Sequence, residues 1–169
     1  AEMVRRGSPY RGVLYAGLMI EDGAPRLVEF NARFGDPEAQ VLAIQAGPGL
    51  LDAILACTEG RLAGFTPGWN AQPVLCVVLA ARGYPGRHAK GEAIGGLDAA
   101  AALPGVTIFH SGTRREDGRI LSNGGRVLTV CARADSLAEA RARAYAAIDR
   151  IDWPGGFCRR DIGWRALGW

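Results

Sequence analysis

The stretch Leu27-Val28-Glu29-Phe30-Asn31-Ala32-Arg33-Phe34-Gly35-Asp36-Pro37-Glu38 joins an apolar strand pattern to the start of a helix. Successive side chains of a strand point to opposite faces. The pattern therefore predicts that Val28 and Phe30 point into a core. The opposite face is predicted to carry one aliphatic and three polar side chains, Leu27, Glu29, Asn31 and Arg33.

The polar face of this strand indicates a phosphate site, because an acid, an amide and a guanidinium are costly to bury without partners. Glu29 and Asn31 offer the hard oxygens that Mg²⁺ prefers, and the cation usually completes its shell with water and substrate phosphates. Arg33 can donate a forked pair of hydrogen bonds to a phosphoryl or carboxylate oxygen. The alternative is a solvated polar face without a ligand, because short motifs produce many false positives.

A helix is predicted directly after the strand. Asp36 is a favourable N-cap residue, and Pro37 suits the first helical position. Glu38 then lies in the first turn, where a negative charge favours the helix dipole. The helix is predicted to run to about residue 46 and to end at Gly47-Pro48.

The flanking residues predict a hairpin and a second helix. An apolar strand over 13–20 is followed by a turn over 21–25, and 26–31 is its antiparallel partner. A helix over 50–57 carries four aliphatic residues at helical spacing, which we predict to be core: Leu50, Leu51, Ile54 and Leu55.

The composition is typical of a folded protein, and its scattered arginines are compatible with anionic small molecules as ligands. The chain has 169 residues, of which 49% are hydrophobic, and a formal net charge of +3. Its cations are mostly arginine and are spread along the chain, whereas nucleic-acid binders cluster them. No apolar run reaches the ~18 residues that a transmembrane helix needs. We therefore expect no nucleic-acid or membrane partner and a cytoplasmic location.

The cysteines do not show the close spacing of a zinc site or a redox Cys-x-x-Cys motif. They are Cys57, Cys76, Cys131 and Cys158. Reduced, buried thiols are the expected state in the cytosol. A disulfide between strands is the alternative.

The second half of the chain predicts an antiparallel sheet with a helix. Apolar strands are predicted over 73–81, 106–109 and 126–132, the first of them central, with a hairpin turn at 116–118. Ser136 and Glu139 form a capping box that begins a helix running to about Ile151. Together with the first half, this gives an α+β arrangement.

The loop Asn123-Gly124-Gly125-Arg126 is a second candidate site. Its backbone N–H groups and the Arg126 cation could bind a phosphate group. The alternative is a glycine turn between two strands, with Arg126 at a strand edge.

The sequence resembles the glycinamide ribonucleotide synthetase (phosphoribosylamine–glycine ligase) family of ATP-grasp enzymes. Glu-x-Asn-x-Arg is common to several ATP-grasp ligases, whereas the following Phe34-Gly35-Asp36-Pro37-Glu38 is peculiar to this family. The segment Tyr10-Arg11-Gly12-Val13-Leu14-Tyr15-Ala16-Gly17-Leu18-Met19-Ile20 is similar to the sequence that leads into the motif. Four later segments resemble the family's carboxy-terminal domain: Gly83-Tyr84-Pro85-Gly86, His110-Ser111-Gly112-Thr113, Asn123-Gly124-Gly125-Arg126-Val127-Leu128 and Phe157-Cys158-Arg159-Arg160-Asp161-Ile162-Gly163-Trp164-Arg165.

This resemblance implies the domain organisation. Residues 1–62 would be the carboxy-terminal portion of an ATP-grasp module, made of antiparallel strands with helices. Residues 63–72 would be a linker, and 73–169 a small antiparallel-sheet carboxy-terminal domain. The amino-terminal portion of the same enzyme would be missing, because residues 1–6 have the pattern of the last turns of a helix. The lysines and glycine-rich flap that hold the nucleotide in ATP-grasp enzymes are also lacking, so we expect a fragment that is inactive alone.

The resemblance also implies the reaction, which is the ATP-driven ligation of glycine to 5-phosphoribosylamine through glycyl phosphate in de novo purine synthesis. Glu29 and Asn31 would bind Mg²⁺ or Mn²⁺ at the ATP phosphates. Arg33 would stabilise the transferred phosphoryl group or the acyl phosphate. Asp36 would hold the amine or a ribose hydroxyl, although its N-cap role alone explains it. The 123–126 loop would line the phosphoribosylamine side of the cleft.

Two alternatives stay open at this point. Another ATP-grasp carboxylate–amine ligase, or a biotin carboxylase-type enzyme, shares Glu-x-Asn-x-Arg. Alternatively, the chain is a folded module without catalytic activity.

Overall fold

The computed structural model describes residues 2–66 and 68–168 and divides the chain into two compact units, Ala1–Asn70 and Ala71–Trp169. Antiparallel strands and a few helices make up the structure, which confirms the predicted α+β class. The division lies inside the predicted 63–72 linker, and the domain bounds 1–62 and 73–169 stay predictions.

The first unit is built on a β-hairpin. After a short helix α1 (Glu2–Arg5), strand β1 (Tyr15–Glu21) pairs antiparallel with β2 (Ala24–Asn31). Asp22 and Gly23 form the connecting turn, with φ angles of 50° and 75°, as expected for a tight hairpin turn whose twist matches that of the strands. The predicted hairpin is confirmed, although β1 begins two residues later than the predicted strand.

A bulge interrupts the pairing of β1 and β2. Gly17 lies opposite Glu29, whereas Leu18 lies opposite Leu27, so Val28 is an extra residue in β2. The prediction that Val28 and Phe30 point into a core is wrong, since their exposed fractions are 69% and 59%. The bulge breaks the alternation at Val28, and within the described residues this sheet has two strands.

Two helices follow the hairpin, α2 (Glu38–Ala46) and α3 (Gly49–Thr58). Helix α2 ends where it was predicted to end, but its N-cap residue is Pro37, which has no side-chain cap hydrogen bond. The predicted N-cap role of Asp36 is therefore wrong. The predicted core role of the four aliphatic residues of α3 is also wrong for Leu51, Ile54 and Leu55, which are 63%, 38% and 48% exposed.

No single helix in the described part of the chain is long and apolar enough to cross a membrane. Helices α2 and α3 together have the length and apolar composition of a membrane span, but they are bent by 107° relative to each other.

The second unit contains a four-stranded antiparallel sheet with the strand order β4-β7-β3-β8. A separate hairpin, β5–β6, follows β4 in the chain. The elements of this unit are β3 (Val74–Ala81), α4 (Leu97–Ala101), β4 (Val106–His110), β5 (Thr113–Glu116), β6 (Arg119–Ser122), β7 (Arg126–Arg133), α5 (Leu137–Ile148), β8 (Gly156–Phe157) and a 3-10 helix (Trp164–Leu167). The central place of β3, beside β7, is confirmed.

The core of the second unit lies where α5 packs against the sheet. Fully buried Val127, Leu128 and Val130 of β7 belong to the same apolar cluster as the alanines on the inner face of α5. The predicted cap is confirmed, because Ser136 Oγ accepts a hydrogen bond of 3.2 Å from the Glu139 N–H. Helix α5 ends at Ile148 instead of residue 151, since the chain then tightens into i→i−3 hydrogen bonds.

Side chains of α5 hold the segment that follows β8. Arg141 donates to the carbonyl oxygens of Arg160 and Ile162 over 2.7 and 2.9 Å. Tyr145 donates from its hydroxyl to the Arg159 carbonyl over 2.8 Å and accepts from the Ile162 N–H. These contacts attach residues 159–162 to α5.

The four cysteines are free thiols. Cys76 and Cys131 occupy directly opposite positions of β3 and β7, and Cys131 is fully buried. The adjoining Cys76 thiol, together with burial, raises the pKa of Cys131 above its usual range.

We expect iodoacetamide to alkylate Cys131 at pH 8 more slowly than half-buried Cys57, by about tenfold or more, because each unit of raised pKa lowers the thiolate fraction about tenfold. Peptide mapping of a labelling time course measures both rates. Urea-unfolded chain is the control, in which the two rates should converge. Equal rates in the folded chain would contradict the prediction.

Candidate functional site

The end of the hairpin that lies away from its turn carries the residues that were predicted to bind a cation. Asn31 is the last residue of β2 and lies opposite Tyr15, and Glu29 lies opposite Gly17. A Cβ atom on Gly17 would lie 3.2 Å from Glu29 Cγ. Because Gly17 has no Cβ atom, the Glu29 side chain can lie over this position.

Glu29 and Asn31 contact each other directly. The Asn31 Nδ2 group donates a hydrogen bond of 2.8 Å to Glu29 Oε1. The hard oxygens that this pair could offer to a cation are Asn31 Oδ1 and Glu29 Oε2. Their spacing of two residues beyond the bulge places both side chains on one face of β2.

This donor set fits Mg²⁺ or Mn²⁺ that arrives with a phosphate substrate. Mg²⁺ is commonly bound by one or two protein oxygens, with water and phosphate oxygens in its other positions. Among residues 2–66 and 68–168, no group of three or more His, Cys, Asp or Glu residues is arranged to hold a metal ion. Two oxygen ligands from the protein suit a cation that also takes ligands from a substrate phosphate.

Arg33 lies outside the strand that was predicted to orient it. Strand β2 ends at Asn31, so side-chain alternation does not determine the direction of Arg33. Its Nη1 group donates to the Phe34 carbonyl oxygen over 2.8 Å. The prediction that it shares a strand face with Glu29 and Asn31 is wrong, and its catalytic role stays a prediction.

Asp36 lies in the turn that leads into α2. Its Oδ1 atom accepts a hydrogen bond of 3.4 Å from Gln40 Nε2, one helical turn further along the chain. The carboxylate thus contacts a side chain of α2, two residues after the first residue of that helix.

Tyr15, at this end of the hairpin, was not singled out from the sequence as a site residue, and Glu38 of α2 was predicted only to favour the helix dipole. The Tyr15 hydroxyl donates to Glu38 Oε1 over 3.2 Å. The nearby Glu38 carboxylate raises the pKa of Tyr15, and Glu29 adds to the increase, whereas Arg33 opposes it. The structure therefore brings Glu29, Arg33 and Glu38 within electrostatic reach of one phenol.

The loop Asn123-Gly124-Gly125-Arg126 lies in the second unit. Its first three residues connect β6 to β7, and Arg126 is the first residue of β7. The Asn123 N–H donates to the Gly112 carbonyl over 2.7 Å, and the Gly125 carbonyl accepts from the Ala81 N–H over 2.8 Å. These contacts anchor the loop to Gly112, between β4 and β5, and to Ala81, the last residue of β3.

Close packing explains the two glycines of this loop. A Cβ atom on Gly124 would lie 2.9 Å from Gly112 Cα, and one on Gly125 would lie 2.8 Å from Tyr84 Cε2. This favours the glycine-turn interpretation, and the phosphate-binding role of the loop stays a prediction. His110, at the end of β4, contacts the Thr113 hydroxyl through its Nδ1 atom over 3.0 Å.

Two family models match the chain. The model described as "Phosphoribosylglycinamide synthetase, C domain" matches residues 74–165. The model described as "Phosphoribosylglycinamide synthetase, ATP-grasp (A) domain" matches residues 1–39.

Curated relatives carry the name phosphoribosylamine–glycine ligase. The protein of Mesorhizobium japonicum is 52% identical over 98% of this chain, and that of Phenylobacterium zucineum is 53% identical over 96%. The chain spans 39% and 38% of their lengths. A relative from Arabidopsis thaliana, named as chloroplastic, is 48% identical over 98% of the chain, which spans 32% of it.

Two solved structures from Thermotoga maritima are similar to the chain. Phosphoribosylamine–glycine ligase has a TM-score of 0.81 and 36% sequence identity, over 94% of this chain and 39% of its own. N5-carboxyaminoimidazole ribonucleotide synthetase has a TM-score of 0.59 at 14% identity, over 84% of this chain and 37% of its own. At that identity, the second match shows a shared fold alone.

Proposed function

The chain belongs to the phosphoribosylglycinamide synthetase family, and from this premise we propose that it supplies part of the catalytic site of an ATP-dependent ligase that joins glycine to 5-phosphoribosylamine. The hydrogen-bonded Glu29–Asn31 pair carries this proposal. It offers cation ligands within the segment that matches the ATP-grasp model.

The proposed reaction has two steps. The glycine carboxylate attacks the γ-phosphorus of ATP, which forms glycyl phosphate and releases ADP. The amine of phosphoribosylamine then attacks the glycyl carbonyl carbon and loses a proton, and phosphate leaves. The products are glycinamide ribonucleotide, ADP and phosphate.

Positioning and charge neutralisation are what such a phosphoryl transfer requires from a protein. Mg²⁺ or Mn²⁺, held by Glu29 and Asn31, would neutralise charge on the ATP phosphates. Arg33 would donate hydrogen bonds to the transferred phosphoryl group or to the acyl phosphate. Asp36 would accept a hydrogen bond from the incoming amine or from a ribose hydroxyl.

The candidate phosphate-binding residues of the second unit are a separate part of the proposal. We propose that backbone N–H groups of the 123–126 loop and the Arg126 guanidinium bind the ribose phosphate. The remaining groups for nucleotide binding would come from the part of the ligase that corresponds to the portion of the relatives that this chain does not match. We further propose a cytoplasmic location, which suits four free thiols.

A chimera tests the proposed function. In it, this chain replaces the matched portion of the Mesorhizobium japonicum ligase, to which it is 52% identical. We expect ADP release that requires both glycine and phosphoribosylamine, and mass spectrometry should identify glycinamide ribonucleotide. The Mesorhizobium japonicum ligase with its own matched portion is the positive control.

The outcomes distinguish the candidate functions. ADP release that depends on bicarbonate and not on glycine would favour a different ATP-grasp enzyme. A folded chimera without ADP release, beside an active control, would favour a module without catalytic activity. Turnover by this chain alone would contradict the need for the remaining part of the ligase.

A further inference from the structure

Tyr15 contacts both ends of the segment 32–37, which carries Arg33 and Asp36. At one end, Tyr15 pairs with Asn31, the last residue of β2. At the other end, its hydroxyl donates to Glu38 Oε1 over 3.2 Å, and Glu38 is the first residue of α2. The backbone and the side chain of one residue thus close the segment into a loop.

Gly35, in the middle of this loop, packs against the Glu38 side chain. Gly35 is buried, and a Cβ atom there would lie 2.8 Å from Glu38 Cδ. The Gly35 carbonyl oxygen also accepts a hydrogen bond of 3.0 Å from the Ala39 N–H. The middle of the segment therefore packs on the carboxyl group that Tyr15 contacts.

We propose that Tyr15 is a positioning residue, which acts through Glu38 to fix the segment that carries Arg33 and Asp36. This inference rests on the proposed ligase function for the roles of Arg33 and Asp36. In this proposal Glu38 acts as a hydrogen-bond acceptor, and its negative charge is not required. Glu29 and Asn31 lie on β2, so the loss of the Tyr15–Glu38 bond leaves their strand pairing in place.

The chimeric ligase separates these roles by kinetics. Tyr15→Phe should lower kcat about tenfold, the effect of losing one hydrogen bond to a charged group. The KM for ATP, at saturating Mg²⁺, should change by less than about twofold, because that substrate would be held by the cation ligands on β2. Glu38→Ala should have the same effect, and the double variant should be no slower than either single variant.

Two further variants test the mechanism of the effect. Glu38→Gln keeps a carbonyl oxygen that can accept from Tyr15, so it should retain most of the kcat that Glu38→Ala loses. Tyr10→Phe is the matched control. The Tyr10 hydroxyl donates to the Val13 carbonyl over 2.7 Å, outside the 32–37 segment, and its loss should leave both kinetic constants unchanged.

Hydrogen exchange, measured on this chain and its variants outside the chimera, gives a readout that does not depend on ligase activity. Peptides that cover residues 32–39 should exchange faster in Tyr15→Phe and Glu38→Ala than in the parent chain. The same peptides should be unchanged in Tyr10→Phe and Glu38→Gln. Peptides of α3 should be unaffected in all four variants.

Three results would overturn the inference. The first is unchanged exchange over 32–39 in Tyr15→Phe, and the second is faster exchange throughout the first unit, which would indicate a general loss of stability. The third is a Glu38→Gln variant as slow as Glu38→Ala, which would assign a charge-dependent role to Glu38. If the parent chimera makes no glycinamide ribonucleotide, the proposed function fails, while the exchange experiment still decides whether Tyr15 fixes the segment.

Discussion

Glu29→Ala should lower the kcat of the chimeric ligase by about 10²- to 10³-fold, the range seen when one preorganised electrostatic group is removed from a catalytic site. The physical reason is that Glu29 would supply the only negatively charged ligand of the proposed cation pair, and Asn31 would lose the acceptor that orients its amide. Asn31→Ala should be affected in the same direction. Initial rates of ADP release over a range of Mg²⁺ concentrations measure both variants.

Glu21→Gln is the matched control for this prediction. Glu21 is also an exposed glutamate of the hairpin, but it lies at the turn end, where it pairs with Arg26 over 3.0 Å. Such an exposed ion pair contributes about 1 kcal/mol or less, so Glu21→Gln should leave the kinetic constants unchanged. A Glu29→Ala variant within about threefold of the parent kcat would exclude the proposed cation role.

Gly96→Ala should lower the free energy of unfolding of the second unit by about 2–4 kcal/mol, through backbone strain and overpacking together. Gly96 has a φ of +73°, and a Cβ atom there would lie 3.1 Å from the Arg150 carbonyl carbon and 3.3 Å from the Asp152 nitrogen. Gly95 and Asp152 exchange two backbone hydrogen bonds beside it. Because backbone atoms surround the site, no flexible side chain can move to make room.

Gly118→Ala separates the two contributions. Gly118 has a similar φ of +76°, but no atom lies within 4 Å of its Cβ position. Its substitution should therefore cost only the strain of the left-handed conformation, about 1–2 kcal/mol. Hydrogen exchange of β3 and β7 peptides during a urea titration reports on the second unit alone. Equal losses in the two variants would contradict the overpacking argument.

Local signals explain the elements that were predicted correctly. The hairpin turn, predicted over 21–25 and found at Asp22-Gly23, the end of α2 before Gly47 and the Ser136 cap each depend on a few adjacent residues. The central position of β3 follows from its nearly continuous apolar run. These features need no knowledge of distant parts of the chain, so the sequence pattern is sufficient to predict them.

Long-range pairing explains what was missed around the candidate site. In a regular hairpin with the Asp22-Gly23 turn, Asn31 would lie opposite Leu14. The bulge at Val28 shifts the pairing by one residue and places Tyr15 there instead. No residue type marks the bulge in the sequence, so the Tyr15–Glu38 contact could not be predicted.

Short elements were missed for a similar reason. Strand β8 has two residues and exists only through its pairing with Ala80 and Ala81 of β3. Helix α4 has five residues, which are too few for a clear helical period. Arg33 was placed incorrectly because the strand pattern was extended past Asn31, where β2 ends.

The extra residue in β2 also determines where this hairpin can change length during evolution. Val28 has no opposite residue in β1, so its deletion would restore a regular ladder and leave Glu29 and Asn31 opposite Gly17 and Tyr15. Deletion of Phe30 would instead move Asn31 to the other face relative to Glu29. Lineages of this family should therefore tolerate the loss of a residue at position 28 and reject it at position 30.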